Sequence, residues 1–432
     1  MAGILYNFLL ILISPFAFVG YLWRIFVSKK SNESWRENLG ALPLLKNRPL
    51  GQQLVWLHAV SVGEVVASLP IQDEIRRLLP DAFILVTTIT QTGNAVALKS
   101  AKSADAVAYL PLDYPLLVNR AMNRVKPDIL VTVEKEIWPN LLAAAKKRGI
   151  PTALVNGCMS DKGFRRGSRW RWLMSWAFSN IDRLCMQTRT DAERMTAFGV
   201  PEELISVFGS TKFDQEGGQL DEEAVRALKA DLGLPDGAPV FVAGSANPGE
   251  DEPALDAYQE MRKSAEGLKL IIAPRQIDRG EEIQAMVEAR GLRCIRRSKK
   301  ETGRDFDVLI LDTLGELAST YAVGEVAFVG GTLIPKGGHS LFQPVLQGKP
   351  VLFGPYTFKT RDMAEMVLSA GVGFEVKDAH ELARLGISFL ADPKRRAEVD
   401  AACRRMVSEN RGASTRSAEV IARLLKGHPN ES

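Results

Sequence analysis

Short apolar runs rich in valine, isoleucine and leucine recur along the chain and alternate with amphipathic stretches of helical period. A first series of runs comprises Gln53–Val60, Phe83–Thr88, Asp128–Glu134, Thr152–Asn156 and Arg183–Gln187. A second series comprises Val240–Gly244, Leu268–Pro274, Val308–Asp312, Val326–Gly330 and Val351–Gly354. Because continuous apolar runs that alternate with helices are typical of strands buried on both faces, each series predicts a parallel sheet with helices on both sides.

Glycine and proline are frequent between the two series, at Gly217, Gly218, Gly233, Pro235 and Gly237. This composition predicts a linker over residues 213–238. The linker separates a first Rossmann-like domain, residues 29–212, from a second, residues 239–432, whose C-terminal helix is a candidate to pack back on the first domain. Ligands of open parallel sheets bind beyond the carboxyl ends of the strands. We therefore predict an α/β protein of two Rossmann-like domains with a cleft between them.

The N-terminal stretch Met1–Trp23 contains no charged side chain and is dense in leucine, isoleucine and phenylalanine. About 20 apolar residues suffice to cross a bilayer, so residues 1–28 are predicted to form a membrane-anchor helix. Arg24, Lys29 and Lys30 follow the apolar run, which favours an uncleaved anchor with the remaining chain on the cytoplasmic side. Pro15 interrupts the run, and a kinked helix lying on the membrane surface is the alternative.

Composition narrows the class of protein. A chain of 432 residues with 46% hydrophobic and 25% charged residues is typical of water-soluble domains and long enough for two cores. A net charge of +4 gives no nucleic-acid-binding signature. The four cysteines and four histidines are scattered, without CxxC or HxxxH spacing, which indicates a reducing compartment and predicts no structural metal.

The turn after the first apolar run carries a candidate catalytic carboxylate. Ser61 and Glu64 have the spacing of a capping box, in which each side chain bonds the other residue's backbone N–H. Gly63 in the first helical turn disfavours a helix by about 1 kcal/mol relative to alanine, which hints at close approach of a ligand. The helix dipole favours an ionised Glu64 that is able to accept a proton. A purely structural cap is the alternative.

A second acidic turn follows the run Asp128–Glu134, where the chain reads Glu134-Lys135-Glu136-Ile137-Trp138-Pro139-Asn140. Glu134 stands at the end of the predicted strand, where ligands of parallel sheets bind. The alternative is an ordinary strand end followed by a helix that begins at Pro139.

Basic residues and tryptophans are interleaved over a short stretch, which comprises Lys162, Arg165, Arg166, Arg169, Trp170, Arg171, Trp172 and Trp176. This mixture suits an anionic membrane interface or an acidic lipid acceptor, because indoles lie at headgroup level and cations meet phosphates. A solvated amphipathic helix with a tryptophan stripe in the core is the alternative.

Glycines follow a predicted strand of the second domain at Gly330-Gly331-Thr332, and Gly337-Gly338-His339-Ser340 leads into a helix at about Leu341. Backbone amides at such glycines and at a helix N-terminus can approach a phosphate. The chain has neither a GxxxxGK[ST] nor a GxGxxG motif, which disfavours an ATPase or a dinucleotide enzyme. Arg275 directly follows the predicted strand Leu268–Pro274, so we expect it at the same end of the sheet as these glycines. An ordinary surface arginine is the alternative.

Six motifs, in order, resemble those of the 3-deoxy-D-manno-octulosonic acid (Kdo) transferases of the bacterial inner membrane. They are Trp56–Glu64, Glu134–Asn140, Lys212-Phe213-Asp214, Pro274-Arg275, Asp312–Leu317 and Gly330–Gly338 through Gly354-Pro355. The resemblance implies a GT-B fold, CMP-Kdo as donor, a lipid A precursor (lipid IVA) as acidic glycolipid acceptor, and inversion at the anomeric carbon without metal or other cofactor. It also implies lipopolysaccharide biosynthesis at the cytoplasmic face of the inner membrane.

The resemblance also assigns roles to residues. Glu64 would be the general base, and Glu134 and Lys212 would line the reacting centre. The residues that would bind the CMP moiety are Pro274, Arg275, Leu314, Gly315, Glu316, Ser340, Leu341, Phe342 and Gln343. The acceptor or membrane surface would comprise Lys162, Arg165, Arg166, Arg169 and Trp170.

Five positions depart from the family pattern. Ser340 and Gln343 stand where the family usually has an Asn-x-x-Glu motif, Asn247 and Gln276 replace histidines, and Cys158 replaces an arginine. A transferase of the same fold that uses another nucleotide sugar is therefore one alternative. A non-catalytic membrane-bound nucleotide- or lipid-binding homologue is the other, although Glu64, Lys212 and Arg275 are all present.

Overall fold

The computed structural model describes residues 2–12, 14, 35–42, 48–49, 51–214, 219–299 and 305–427. The chain divides into two compact units, Met1–Gln215 together with Asn410–Ser432, and Glu216–Glu409. We call these the first and the second unit. The segment predicted as a linker contains a helix, Glu222–Asp231.

The strands, in chain order, are β1 (Leu54–His58), β2 (Phe83–Thr88), β3 (Ala106–Tyr109), β4 (Ile129–Val133), β5 (Thr152–Gly157), β6 (Arg183–Met186), β7 (Ile205–Val207), β8 (Val240–Ala246), β9 (Lys269–Pro274), β10 (Cys294–Arg296), β11 (Val308–Ile310), β12 (Val326–Val329), β13 (Val351–Phe353) and β14 (Gly373–Glu375).

The α-helices are α1 (residues 2–12), α2 (Trp35–Asn38), α3 (Val62–Leu78), α4 (Gln91–Ser100), α5 (Pro115–Val125), α6 (Pro139–Lys147), α7 (Asp161–Arg169), α8 (Arg171–Phe178), α9 (Arg189–Ala197), α10 (Glu222–Asp231), α11 (Asp251–Met261), α12 (Gly280–Glu288), α13 (Leu317–Thr320), α14 (Phe342–Leu346), α15 (Arg361–Ser369), α16 (Ala379–Ala391), α17 (Pro393–Asn410) and α18 (Ala413–Leu425). Short 3-10 helices lie at Glu202–Leu204, Thr211–Asp214, Ile277–Arg279, Arg297–Lys299 and Tyr321–Val323.

Each unit is built on one parallel sheet in its described residues. The order in the first unit is β3-β2-β1-β4-β5-β6-β7, and in the second β10-β11-β9-β8-β12-β13-β14. Every pairing in both sheets is parallel. The α/β prediction of two parallel sheets is therefore confirmed, and each of the ten predicted runs contains a strand. The strands that the pattern missed, β3, β7, β10 and β14, are the edges of the two sheets.

The central strands of the first unit are buried on both faces, as β1 illustrates. Leu54 and Trp56 belong to one hydrophobic core, whereas Val55 and Leu57 belong to the core on the opposite face. Alternation of side chains along a strand explains this division. The second of these cores also includes residues of the C-terminal helix α18, which belongs to the first unit.

Helix α1 docks on the first unit through polar contacts. The Tyr6 hydroxyl donates to the Asp113 carboxylate at 3.0 Å, and the Asn140 side-chain amide donates to the Asn7 side-chain oxygen at 2.8 Å. The opposite side of α1 exposes large apolar side chains, with Ile4, Phe8 and Ile11 between 62% and 77% exposed. Asp113 also accepts the backbone N–H groups of Asn140 and Leu141, so one buried carboxylate joins α1 to the start of α6.

The predicted anchor, residues 1–28, lies partly outside the described residues. Within the ranges that the structure describes, no helix combines the length and the apolar character needed to cross a bilayer.

Candidate active site

The order of strands in the first unit reverses direction between β1 and β4. Such a switch point leaves a crevice at the carboxyl ends of the two strands, and ligands of open α/β sheets bind there. Glu64 lies in the first turn of α3, shortly after β1, and Glu134 directly follows β4. The two acidic residues singled out in the sequence therefore flank the same crevice.

Glu64 is held by the backbone at the start of α3. Its carboxylate accepts the N–H of Val60 at 2.6 Å and the N–H of Ser61 at 3.1 Å, so the carboxylate half of the predicted capping box is formed. Burial raises the pKa of Glu64; the Ser61 N–H opposes that shift, and the charge of Glu134 adds to it. The net direction is opposite to that expected from the helix dipole alone, because burial outweighs it. A raised pKa makes the Glu64 carboxylate a stronger proton acceptor.

Gly63, beside Glu64, is exposed, and a Cβ atom built there would meet no heavy atom within 4 Å. Packing within the described residues therefore does not require glycine at this position. The space beside the Gly63 backbone is open.

Glu134 forms an ion pair with Lys212 at the end of β4. The Lys212 ammonium lies 3.1 Å from Glu134 Oε1, and the Glu134 side chain is only about a tenth exposed. Glu134 has a φ of +59°, a left-handed conformation that is uncommon for a residue with a side chain and is concentrated at functional sites. The conformation ends the strand and turns the carboxylate toward the lysine.

Asn156, at the end of β5, joins these elements. Its side-chain amide donates to Glu134 Oε1 at 3.3 Å, and its side-chain oxygen accepts the N–H of Thr211 at 3.1 Å. Thr211 precedes Lys212 in a 3-10 helix. Asn156 therefore fixes the position of Lys212 relative to Glu134.

Glu136 is a further member of the site to which the sequence reasoning assigned no role. Burial raises its pKa to about 7, with further contributions from the charges of Glu64 and Glu134. The Trp138 indole N–H donates to the Glu136 carboxylate at 2.9 Å. Its position in the same turn as Glu134, directly after β4, was the available signal.

The second unit has its own switch point, between β8 and β12. Arg275 follows β9, and Leu314-Gly315-Glu316 follows β11, so both groups lie at the carboxyl edge of the sheet, as does Pro274, the last residue of β9. Leu314 is 80% exposed, whereas the Glu316 carboxylate accepts the Arg297 Nε–H at 2.8 Å.

The predicted CMP-binding stretch Ser340–Gln343 leads into α14. Leu341 and Phe342 are buried in the core, at 0% and 4% exposure, so their side chains serve packing. Ser340 and Gln343 are half-buried and remain the polar side chains of this stretch.

The backbone amides of the first glycine motif are already occupied. The buried Glu250 carboxylate accepts the N–H groups of Gly331, Thr332 and Leu333, at 2.5, 2.9 and 2.9 Å. The expectation that the amides at Gly331 and Thr332 would approach a phosphate is therefore wrong. An internal carboxylate takes the place of the anion and fixes the loop.

His339 and the cations Arg275 and Lys359 lie near this loop. His339 is 3.1 Å from the Asn247 side-chain amide, measured at Nε2. Burial lowers the pKa of His339, and the nearby charges of Arg275 and Lys359 lower it further. Lys359 is a residue that the sequence reasoning missed. Its backbone N–H donates to the Gly337 carbonyl at 3.0 Å, which ties it to the second glycine motif.

The basic, tryptophan-rich stretch forms two consecutive helices, α7 and α8, with the break at Trp170. The predicted surface residues Lys162, Arg165, Arg166, Arg169 and Trp170 are all exposed. Trp176, in contrast, packs on Tyr6 of α1, with ring centroids 6.0 Å apart.

Comparison with known proteins identifies the family. A family model described as 3-deoxy-D-manno-octulosonic-acid transferase (kdotransferase) matches residues 33–215. The 3-deoxy-D-manno-octulosonic acid transferase of Bordetella pertussis is 34% identical over 378 residues, which cover 85% of this chain and 86% of that protein. The chain belongs to the Kdo transferase family. The resemblance predicted from the six motifs is thereby confirmed.

Two further comparisons bear on length and fold. A bifunctional glycosyltransferase/methyltransferase of Fusobacterium nucleatum is 32% identical to this Kdo transferase family member over 77% of the chain, which spans only 52% of that longer protein. The crystal structure of a UDP-GlcNAc 2-epimerase from Neisseria meningitidis is 13% identical, with a TM-score of 0.56 over 87% of this chain and 100% of that one. The second likeness concerns the fold alone.

Glu136 should make the stability of the protein depend on pH. Its pKa in the folded protein, about 7, exceeds its ordinary value of 4.5, so ionisation opposes folding as the pH rises through 7. The Glu136→Gln variant has no ionisable side chain at this position, so its stability does not fall for this reason. One pKa unit corresponds to about 1.4 kcal/mol. The free energy of unfolding of the variant, minus that of the wild type, should therefore be higher at about pH 8 than at about pH 5 by an amount on the order of 2 kcal/mol.

Urea unfolding at both pH values measures the difference. The exposed Glu202→Gln, in the same unit, is the control and should show no such change. Parallel stability curves for the wild type and Glu136→Gln would contradict the assigned environment of Glu136.

Proposed function

We propose that this protein transfers Kdo from CMP-Kdo to a hydroxyl group of lipid IVA, with inversion at the anomeric carbon, in lipopolysaccharide biosynthesis. Membership in the Kdo transferase family supports the donor and the reaction. The main support for the mechanism is the position of the Glu64 carboxylate at the β1/β4 switch point, beside the Glu134–Lys212 pair. This arrangement combines a proton acceptor with a fixed cation at the place where sheet ligands bind.

In the proposed step, Glu64 accepts the proton of the acceptor hydroxyl while the oxygen forms a bond to the anomeric carbon of Kdo. The bond from that carbon to the CMP phosphate oxygen breaks, and CMP leaves with the electron pair. Burial and the neighbouring carboxylates favour the protonated form of Glu64, so they assist the uptake of the proton. Lys212, held by Glu134 and positioned by Asn156, would orient the acceptor or the Kdo carboxylate.

On the donor side, Arg275, His339 and Lys359 form the group that would meet the CMP phosphate and the Kdo carboxylate. The charges of Arg275 and Lys359 could neutralise the leaving group without a metal ion, which would leave CMP-Kdo as the sole co-substrate. Ser340 and Gln343 offer neutral hydrogen bonds. A neutral bond in place of a charge-assisted one costs about 1 kcal/mol, or less than a factor of ten in affinity. The substitution at Gln343 is therefore compatible with CMP-Kdo.

We propose that the protein works at the cytoplasmic face of the inner membrane. The exposed apolar side chains of α1, among them Ile4, Phe8 and Ile11, and the exposed cations of α7 support this assignment. Apolar side chains enter the acyl region of a leaflet, and cations bind its anionic headgroups.

Replacement of Glu64 tests the general base. Glu64→Gln keeps the size of the side chain but cannot accept the proton, so kcat should fall by ~100- to 10,000-fold while the thermal midpoint changes little. Transfer of radiolabelled Kdo to lipid IVA measures the rate. Glu74→Gln, at a half-buried position of the same helix where the carboxylate pairs with Arg77, is the matched control. Turnover near that of the wild type in Glu64→Gln would remove Glu64 from the mechanism.

A thermal-shift titration tests the identity of the donor. CMP at about 100 times its Kd should stabilise the second unit by ~2.7 kcal/mol, or roughly 5–10 °C, and UDP and GDP should not. Arg275→Gln should lose most of the shift. Arg290→Gln, which disrupts a pair with Asp256 and a hydrogen bond to the Met286 carbonyl away from the glycine loop, should retain it. A shift with UDP but not with CMP would instead favour a transferase that uses another nucleotide sugar.

A further inference from the structure

The first unit contains a cavity of about 450 Å³ that the mechanism above does not use. Helices α7 and α8 form one wall, α1 contributes Leu9 and Leu10 to another, and the residues that follow β4 and β5 close the end. The volume lies within the ~300–1,000 Å³ typical of sites for small molecules. The cavity is therefore large enough for a ligand and is built from several elements.

The chemistry of the lining is that of a site for an anionic amphiphile. Most lining side chains are apolar or aromatic, and the charged ones are Lys135 and Arg166, both cationic. Carboxylates do not occur among the lining residues. Such a surface matches an acyl chain that carries a negatively charged headgroup, whereas a nucleotide or a free sugar would need many more polar partners.

The cavity borders the residues that carry the carboxylate site. Lys135, one of its lining residues, lies between Glu134 and Glu136 in the chain. The backbone N–H of Cys158, another lining residue, donates to the Glu134 carbonyl at 3.3 Å. A ligand in the cavity would thus end next to Glu134, with its headgroup near the proposed base.

Helix α1 connects the cavity to the outer surface. Leu9 and Leu10 face the cavity, whereas Ile4, Phe8 and Ile11 of the same helix are exposed. A helix that is apolar on both of these sides can lie with one side on a membrane leaflet and present the other to a lipid tail.

We infer that this cavity binds one acyl chain of the glycolipid acceptor, with Lys135 and Arg166 beside its phosphate. The inference rests on the proposed function, because it takes the acceptor to be an acylated, phosphorylated sugar. It explains how a water-soluble domain could bring a hydroxyl group of a membrane lipid to Glu64. One chain leaves the leaflet along α1, and the headgroup follows it to the crevice.

Gly163 offers a substitution that fills the cavity without disturbing the fold. It lies within α7 and lines the cavity, its φ is not positive, and a Cβ atom would meet only Ser160 Oγ at 3.3 Å and Met159 Cγ at 3.5 Å. Leucine is also a better helix former than glycine. Gly167 is unsuitable, because a Cβ atom there would lie 2.9 Å from the Phe198 ring. Ser168→Leu is the matched control, since Ser168 is an exposed residue of the same helix.

Binding is measured by calorimetric titration of the full chain with monododecyl phosphate below its micellar concentration. The wild type and Ser168→Leu should bind this probe alike, and Gly163→Leu should bind it at least about tenfold more weakly. Inorganic phosphate should not compete at equal concentration. Failure of the wild type to bind the probe, or equal affinity in Gly163→Leu, would refute the acyl-chain site.

A transfer assay links the cavity to the acceptor. The ratio of kcat/KM for lipid IVA to kcat/KM for its fully deacylated form should fall at least about tenfold in Gly163→Leu and stay unchanged in Ser168→Leu. An unchanged ratio in Gly163→Leu would refute the role of the cavity while leaving Kdo transfer intact. Absence of transfer by the wild type to either acceptor would refute the proposed function, and the titration alone would then decide on the cavity.

Discussion

Three carboxylates converge at one edge of a buried parallel sheet, and the first unit is arranged around the need to accommodate them. Glu64, Glu134 and Glu136 repel one another, and burial penalises the charge of Glu64 and Glu136 further. Each carboxylate has a different partner: backbone N–H groups for Glu64, Lys212 for Glu134, and the Trp138 indole for Glu136. Burial raises the pKa of Glu64 and of Glu136, which is how a site obtains a carboxylate that is ready to accept a proton.

The second unit uses a buried carboxylate for a different purpose. Glu250 bonds three consecutive backbone N–H groups of the glycine loop, so the loop is fixed before any ligand arrives. A ligand phosphate must then be met by side chains, and Arg275, His339 and Lys359 are those that the structure groups there. A preorganised loop with the cations Arg275 and Lys359 beside it suits a donor whose phosphate leaves at the end of the reaction.

The sequence pattern predicts the centre of each sheet and misses its edges, for a physical reason. Interior strands such as β1 are buried on both faces and read as continuous apolar runs. The edge strands are only three residues long and include charged side chains, arginine in β10 and glutamate in β14. An edge strand needs less apolar area, so it does not appear as an apolar run in the sequence. Glu64 was predictable, because a capping box is a local signal. The position of Glu134 beside Lys212 was suggested only by the family resemblance.

Other parts of the site depend on contacts between residues far apart in the chain. Glu250 reaches a loop about eighty residues later, and no local motif marks that contact. Lys359 meets His339 only through the folded loop around Gly337. The rise in the pKa of Glu64 follows from burial, which the helix-dipole argument does not include. Local rules therefore placed Glu64 and Glu134 at the ends of their strands and erred on the direction of the Glu64 pKa shift.

The pH dependence of Kdo transfer from radiolabelled CMP-Kdo to lipid IVA, measured in single-turnover experiments, tests the central claim most directly. If the buried Glu64 carboxylate is the base, the wild-type rate should rise with pH through an apparent pKa above the ordinary carboxyl value. The residual rate of Glu64→Gln should lack that rise. A wild-type rate independent of pH, or the same acid limb in Glu64→Gln, would contradict the account.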